Sequence, residues 1–366
     1  MSKLIERLFW TYCLMIFPSN IALDPRILGR IYKNTTATYK FYWFISILDI
    51  LLRERRKEMS FREIIAGMVA EAWYPVHYFR LSFGKSDSMY DCVLKVQQKL
   101  NIPISTSKSR VKDIIIREYN DLEIKQVLNV LTLNVPYRFL SPWIVFESSN
   151  QVIEASNKYH ENCLYSISSD KIIINPAWEQ YLIENYTVLR DYTFWGLANF
   201  IQKRNPNVPN IPAKLQQVEQ RSSLNKQKQF WDTVIDISGA SECIYTGVKL
   251  NIGEYSLDHF IPWSFVTHDF LWNLMPVFPA DNISKGNSLP PLEKYLQIFS
   301  QHQQHAIQTI YHSNPNNKQL EDYLMLHSSI SELTNMIEND FFTVFYKTFS
   351  PMVQIAENMG FTYWNR

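Results

Sequence analysis

Cysteine pairing is the first thing this chain lacks. Cys13, Cys92, Cys163 and Cys243 are scattered, and no two of them stand in a Cys-x-x-Cys spacing. This excludes a disulfide framework and a cysteine-held structural zinc, and leaves four small hydrophobes of a reducing compartment. Long apolar runs are also missing. The longest, residues 41–52, is too short to span a bilayer and contains Asp49. The opening MSKLIERLFWTYCLMIF has the rough texture of a secretion signal, but Glu6, the bulky aromatics and the lack of a small-residue cleavage site speak against one. The expectation is a cytoplasmic protein without a membrane partner. A phosphate-binding glycine loop is missing as well: Gly84-Lys85-Ser86 would need a glycine five positions before Gly84, and Phe79 stands there, so Ser86 or Asp87 reads as a helix cap. No internal repeat is present.

Charge of one sign is scarce overall, with 36 Lys and Arg against 35 Asp and Glu for a formal net of +1. Its distribution says more than its total. Residues 230–294 carry three lysines against eight acidic residues, a net of −5, whereas Lys203, Arg204, Lys214, Arg221, Lys226 and Lys228 face only Glu219 in the preceding stretch. That basic set is either a phosphate-tracking surface or a solvated linker.

With 366 residues, 46% of them hydrophobic, the chain can bury cores for two or three domains and is not a disordered protein. The fold class expected is α+β: a mostly helical multidomain protein. Residues 1–205 form a helical N-terminal region with a small β insertion at about 128–176, where VLTLNVPYRFLSPWIVF and the pair LYSIS and KIIIN are rich in β-branched and aromatic residues. Thr35 or Thr36 caps a helix over 38–56, and Ser60 with Glu63 forms a capping box for the next. Trp73, Tyr74, Tyr78 and Phe79 crowd around Pro75, which ends that helix; they are either core or a stacking platform for bases. Residues 178–202 read as helix. Residues 206–229 are a basic, proline-containing connector. Residues 230–295 form a compact module, and helices over 292–311 and 320–356 follow. His302 and His305 lie three apart among glutamines, as two solvated side chains or a metal pair.

The chemistry concentrates in residues 257–287, LDHFIPWSFVTHDFLWNLMPVFPADNISKGN. Residues 256–261 alternate and favour a strand that Pro262 ends, with Asp258 and His259 on opposite faces. Pro279 starts a short helix that Gly286 closes, placing Asn282 and Lys285 on one face. Packed across the strand, that helix would let Asp258 and Asn282 offer two hard oxygen ligands to one Mg²⁺, with His259 taking a proton from water and Lys285 contacting a phosphate oxygen. Trp263, Phe265, Phe270, Leu271 and Trp272 would supply the core.

On these residues the segment resembles the HNH endonuclease family, a ββα-metal fold, in its HNN variant found in RNA-guided CRISPR nucleases. The "DH", "NL" and "N..K" elements stand in family order, and Cys243-Ile244-Tyr245-Thr246-Gly247 resembles the opening of the family's first strand. The resemblance covers residues 230–295 and lacks the two Cys-x-x-Cys pairs that clamp many members on zinc. It implies that Asp258 and Asn282 hold Mg²⁺ (or Mn²⁺), that His259 is the general base, that Asn273 holds the loop bearing the histidine, and that Lys285 sits near the phosphate. The function expected is metal-dependent hydrolysis of DNA, in bacterial anti-phage defence or restriction, with target choice in the N-terminal region or in a protein partner, and self-association needed for a paired double-strand cut. The alternatives are a ribonuclease, or a nucleic-acid-binding or scaffold protein whose module no longer cuts.

Overall fold

A computed structural model describes residues 17–145, 148–216, 222–239 and 241–366. The N-terminal stretch with Cys13, and Arg221 and Glu219 of the basic connector, lie outside the described residues. The fold is α+β and mostly helical, with three small sheets among the described residues. The chain divides into two compact units, the first Met1–Pro206 with Lys214–Gln217 and the second Asn207–Ala213 with Val218–Arg366. Among the described residues no helix is long and apolar enough to cross a membrane.

Unit 1 is built on α1 (Tyr39–Glu54), α2 (Phe61–His77), α3 (Ser88–Leu100), α4 (Lys108–Glu118) and α5 (Tyr186–Gln202). Helix α2 lies at the centre, packed on α1, α3 and α4. Its start is the capping box expected from Ser60 and Glu63. The cap of α1 is Thr38 rather than Thr35 or Thr36, and that of α3 is Asp87. Pro75 lies within the last turn of α2 instead of ending it earlier. Trp73 and Phe79 are fully buried, so the aromatic cluster around Pro75 is core at those two positions rather than an open stacking platform.

The β insertion differs from expectation in its first half. The described residues 128–145 form no strand: Pro136 sits in the first turn of a short helix, Val135–Arg138, where its missing N–H costs nothing. The apolar residues there pack as turns and helix ends. The strands are β2 (Tyr165–Ile167) and β3 (Lys171–Ile174), a hairpin whose β3 also pairs antiparallel with β1 (Glu58–Ser60), in the order β1-β3-β2.

His77 ends α2 half-buried, its ring 4.4 Å from that of Trp73, with a backbone hydrogen bond at Val93 and its Nε2 buried without a partner. Burial pushes its pKa down to about 4. A histidine held neutral binds fewer protons folded than unfolded, so its contribution is intact above about pH 6.5 and is lost as the pH falls from there towards 4. The expected result is that the melting point of the wild type drops relative to His77→Gln over that window. After allowance for partial solvent access the relative drop is about 2–4 °C, readable by calorimetry at pH 7.5 and 5. A pH-independent difference would contradict this.

Unit 2 contains α6 (Asn225–Ser238), β4 (Ser241–Glu242), β5 (Lys249–Leu250), β6 (Ser256–His259), α7 (Trp263–Val266), β7 (Leu274–Val277), α8 (Pro279–Lys285), α9 (Leu292–Ser313) and α10 (Glu338–Asn358). Residues 243–247 form a turn between β4 and β5, closed by Gly247 N–H on the Cys243 carbonyl at 2.7 Å. The last two helices share one core with the strands. Phe260 stacks on Phe299 of α9 at 4.2 Å, and Trp272 meets Phe349 of α10 edge-on. Phe265, Leu271 and Trp272 are buried as expected, Phe270 and Trp263 only partly. The buried Gln303 of α9 donates to the carbonyls of Leu271 and Leu274 at 3.2 and 2.8 Å, satisfying backbone groups where the β7 strand begins. His302 and His305 are not both solvated. His305 is exposed and bonds Ser238, whereas His302 is half-buried beside an open cleft of about 530 Å³.

Candidate active site

Two antiparallel strands and one short helix place the reactive groups. β6 pairs with β7 in the register Asp258↔Met275 and His259↔Leu274. Pro262 ends β6, and the chain loops through α7 before returning. Asn273 closes that loop at its neck. Its Oδ1 accepts from the Ile261 N–H at 2.8 Å, its Nδ2 donates to the Ile261 carbonyl at 2.9 Å, and its own carbonyl accepts from the Phe260 N–H at 2.8 Å. The side chain is fully buried, so truncation strands two backbone groups at about 1–3 kcal/mol each. Asn273→Ala is expected to lower stability by about 2–4 kcal/mol in urea unfolding. Asn273→Asp keeps an acceptor for the Ile261 N–H but loses the donor and buries a carboxylate against the Ile261 carbonyl, so it should lose at least as much; a near-neutral Asn273→Asp would contradict the bidentate role.

The loop held in this way brings Asp269 back to the strand. His259 Nε2 lies 2.8 Å from Asp269 Oδ1. An ionised carboxylate only accepts, so the proton of a neutral ring sits on Nε2 and the Nδ1 lone pair is left for another proton. The neighbouring Asp258 is buried and doubly engaged: its Oδ2 accepts from the Tyr245 hydroxyl at 2.7 Å, and its Oδ1 lies 3.0 Å from Lys285 Nζ. Burial first, and then the charge of Asp258, raise the Tyr245 pKa well above its ordinary value, so this hydroxyl stays a donor. Asn282 on α8 donates from Nδ2 to the carbonyl of Leu257, the residue before Asp258, at 3.3 Å. Helix α8 starts at Pro279 and is closed by Gly286 at φ +51°, a left-handed position that glycine takes readily.

The model of a family described as HNH endonuclease matches residues 243–291. That segment is an HNH endonuclease domain. The domain is also similar to the CRISPR-associated endonuclease Cas9 of Listeria innocua serovar 6a, 34% identical over 86 residues, which are 22% of this chain. The chain spans 6% of the length of that relative. No solved structure matches the chain.

Within the HNH domain, the structure places Asp258 and His259 on β6, Asn273 just before β7, and Asn282 and Lys285 on α8, but gives Lys285 a different place from the one expected. It does not lie open to a phosphate. Its side chain is 0% exposed, and Nζ is spent on Asp258 and, at 2.7 Å, on the carbonyl of His259. Tyr245 enters the sequence reading only as a member of the opening motif 243–247 and Asp269 not at all, because their contacts depend on where two loops return in space. The order of the motif does carry a trace of Asp269, which lies in the loop that Asn273 closes.

The donor chemistry fits a magnesium-type ion: one carboxylate and one carboxamide oxygen, with water and substrate phosphate for the remaining positions. Asp258 and Asn282 are the residues that would hold it. Among the described residues no group of three or more His, Cys, Asp or Glu side chains could hold a metal ion.

The basic set divides. Lys203 is exposed in unit 1, as are Lys226 and Lys228 on α6 of unit 2. Arg204 packs its guanidinium over the Phe200 ring at 3.5 Å and donates to the Phe200 and Thr36 carbonyls, which makes it a structural contact. Lys214 is 0% exposed, and burial pushes its pKa down to about 7, so it is no phosphate contact. Counting charge along the sequence does not register burial.

Proposed function

We propose that this protein is a divalent-cation-dependent endonuclease that hydrolyses phosphodiester bonds in DNA. The observation that carries the reading is the pairing on one strand of His259, its ring anchored on Asp269, with Asp258, whose neighbour Leu257 is tied to the helix bearing Asn282. His259 takes the proton of the attacking water on Nδ1, and Asp269 holds the ring and offsets the imidazolium charge that follows. Asp258 and Asn282 hold Mg²⁺ or Mn²⁺. When bound, such an ion polarises the phosphate and stabilises the departing oxyanion. Tyr245 and Lys285 hold the Asp258 carboxylate in place by a hydrogen bond and an ion pair. Asn273 holds the loop that carries Asp269.

The HNH domain is acidic, so the polyanion needs cationic surface beside it. The exposed Lys226 and Lys228 of α6 supply part of it. Target choice lies with residues 1–205, the connector 206–229 or a protein partner, and self-association would pair two single-site cuts. A defence role belongs to the same proposal and is supported by likeness to a CRISPR-associated endonuclease.

The test is nicking of supercoiled plasmid by the full chain with Mg²⁺, Mn²⁺ or EDTA, beside a matched RNA. The expected result is nicking with either ion and none in EDTA. Cutting of RNA alone would make the enzyme a ribonuclease, and binding without cutting under every condition would make it a nucleic-acid-binding scaffold.

A further inference from the structure

Residues 361–366 pair with the HNH domain at Leu289. Leu289 N–H donates to the Thr362 carbonyl at 2.9 Å and Trp364 N–H to the Leu289 carbonyl at 2.8 Å, a parallel bridge just beyond the end of α8. From it two side chains reach the two elements that present the oxygen donors. Trp364 is 6% exposed; its Nε1 donates to Ser284 Oγ of α8 at 3.2 Å, and its ring meets that of Tyr245 edge-on at 4.8 Å. Arg366 pairs with Asp281, the residue before Asn282. Asp281 is itself buried, and its other oxygen accepts from the Cys243 thiol at 3.2 Å and the Thr246 hydroxyl at 3.1 Å. Lys294 Nζ holds the Arg366 carbonyl at 2.9 Å.

We infer that residues 361–366 are a positioning brace for the metal-binding pair. Through Ser284 and Asp281 the brace fixes α8 on both sides of Asn282. Through Tyr245, whose hydroxyl bonds Asp258, it fixes the carboxylate. Asp281 is the node: it joins the turn 243–247, the helix and the C-terminal arginine by hydrogen bonds and one ion pair, without a metal. None of these groups touches substrate, so each acts through Asp258 or Asn282, and partners of this kind are worth about 10–100-fold in metal affinity. The inference rests on the metal-dependent reading above.

The test is Mn²⁺ binding by the full chain, followed by electron paramagnetic resonance and independent of cleavage, for wild type, Trp364→Phe, Arg366→Ala, Asp281→Asn and the Arg366/Asp281 double variant. Trp364→Phe removes the bond to Ser284 and part of the ring contact with Tyr245 while leaving an aromatic side chain, so it tests the brace if larger changes disturb folding. The expected result is an apparent Kd raised about tenfold in Arg366→Ala and Asp281→Asn. The double variant should be no weaker than the weaker single one, because both remove the same contact. Tyr363→Phe, altered on the same segment but away from α8, should bind as the wild type does. Wild-type affinity in both Arg366→Ala and Trp364→Phe, or additive losses in the double variant, overturns the brace. No Mn²⁺ binding by the wild type overturns both the brace and the metal-dependent reading.

Discussion

His259→Ala is expected to lower the single-turnover rate of cleavage by about 10²–10⁴-fold while leaving the protein folded and still able to bind Mn²⁺. The rate falls because no other imidazole is placed on β6 to take the proton of water. The fold survives because the ring is at the edge of the core, and its partner Asp269, 22% exposed, can be rehydrated when the ring is removed. Metal binding survives because Asp258 and Asn282 keep their own anchors in Tyr245, Lys285 and the Leu257 carbonyl. This separates the base from the ligands: loss of rate with retained metal affinity is the signature of the base. Asp269→Asn should cost less than removal of the ring but still about 10²-fold, because an amide can donate to Nε2 and place the proton on the wrong nitrogen. Undiminished cleavage by His259→Ala would remove the mechanism, and undiminished cleavage by Asp269→Asn would remove the role of the loop.

The second large effect is on stability and comes from the buried pair Asp258–Lys285. The two side chains are 3% and 0% exposed, so removing one leaves the other as an uncompensated charge in the interior. Asp258→Ala is expected to destabilise by about 3–5 kcal/mol, or roughly 10 °C in a unit of this size. Lys285→Met should cost a similar amount in EDTA. The double variant, Asp258→Leu with Lys285→Met, should regain most of that loss, since a buried pair can be replaced by apolar side chains at little net cost. Magnesium distinguishes the two single variants. In Lys285→Met the carboxylate has lost its cation, so saturating Mg²⁺ should raise the melting point more than it does in the wild type, with about 2.7 kcal/mol available at a hundred times Kd. In Asp258→Ala, Mg²⁺ should do nothing. Equal responses in both would show that Asp258 is not a ligand.

The parts of this site that could be read from the sequence were those with local punctuation. Pro262 and Pro279 mark where β6 ends and α8 begins, and Gly286 marks where α8 stops, so the strand that carries Asp258 and the helix that carries Asn282 and Lys285 are legible from spacing. Asn273 as loop holder came from the family pattern, and its two bonds to Ile261 give it that geometry. Contacts made by chain segments that meet only after folding left no such mark. Asp269 is an ordinary loop aspartate until the loop closes, the motif around Tyr245 does not show its bond to Asp258, and Arg366 is 85 positions away from its partner Asp281. Burial was the other blind spot. Lys285 was expected at a phosphate because lysine is a cation, yet the carboxylate beside it and the core around it claim that charge. Lys214 was counted in a basic surface for the same reason. In residues 128–146 the β-branched and aromatic residues suggested strands, but Pro136 fits a helix start better than a ladder.

The most direct test of the central claim is a Mg²⁺ titration of plasmid nicking, run in parallel on the wild type, Asp258→Asn and Asn282→Ala. A carboxylate on β6 and a carboxamide on α8 serving one ion would give saturable activation in the wild type. In each variant the curve would be displaced at least about tenfold to higher Mg²⁺, or abolished. Nicking that proceeds in EDTA, or activation curves that do not move when either donor is removed, would contradict it.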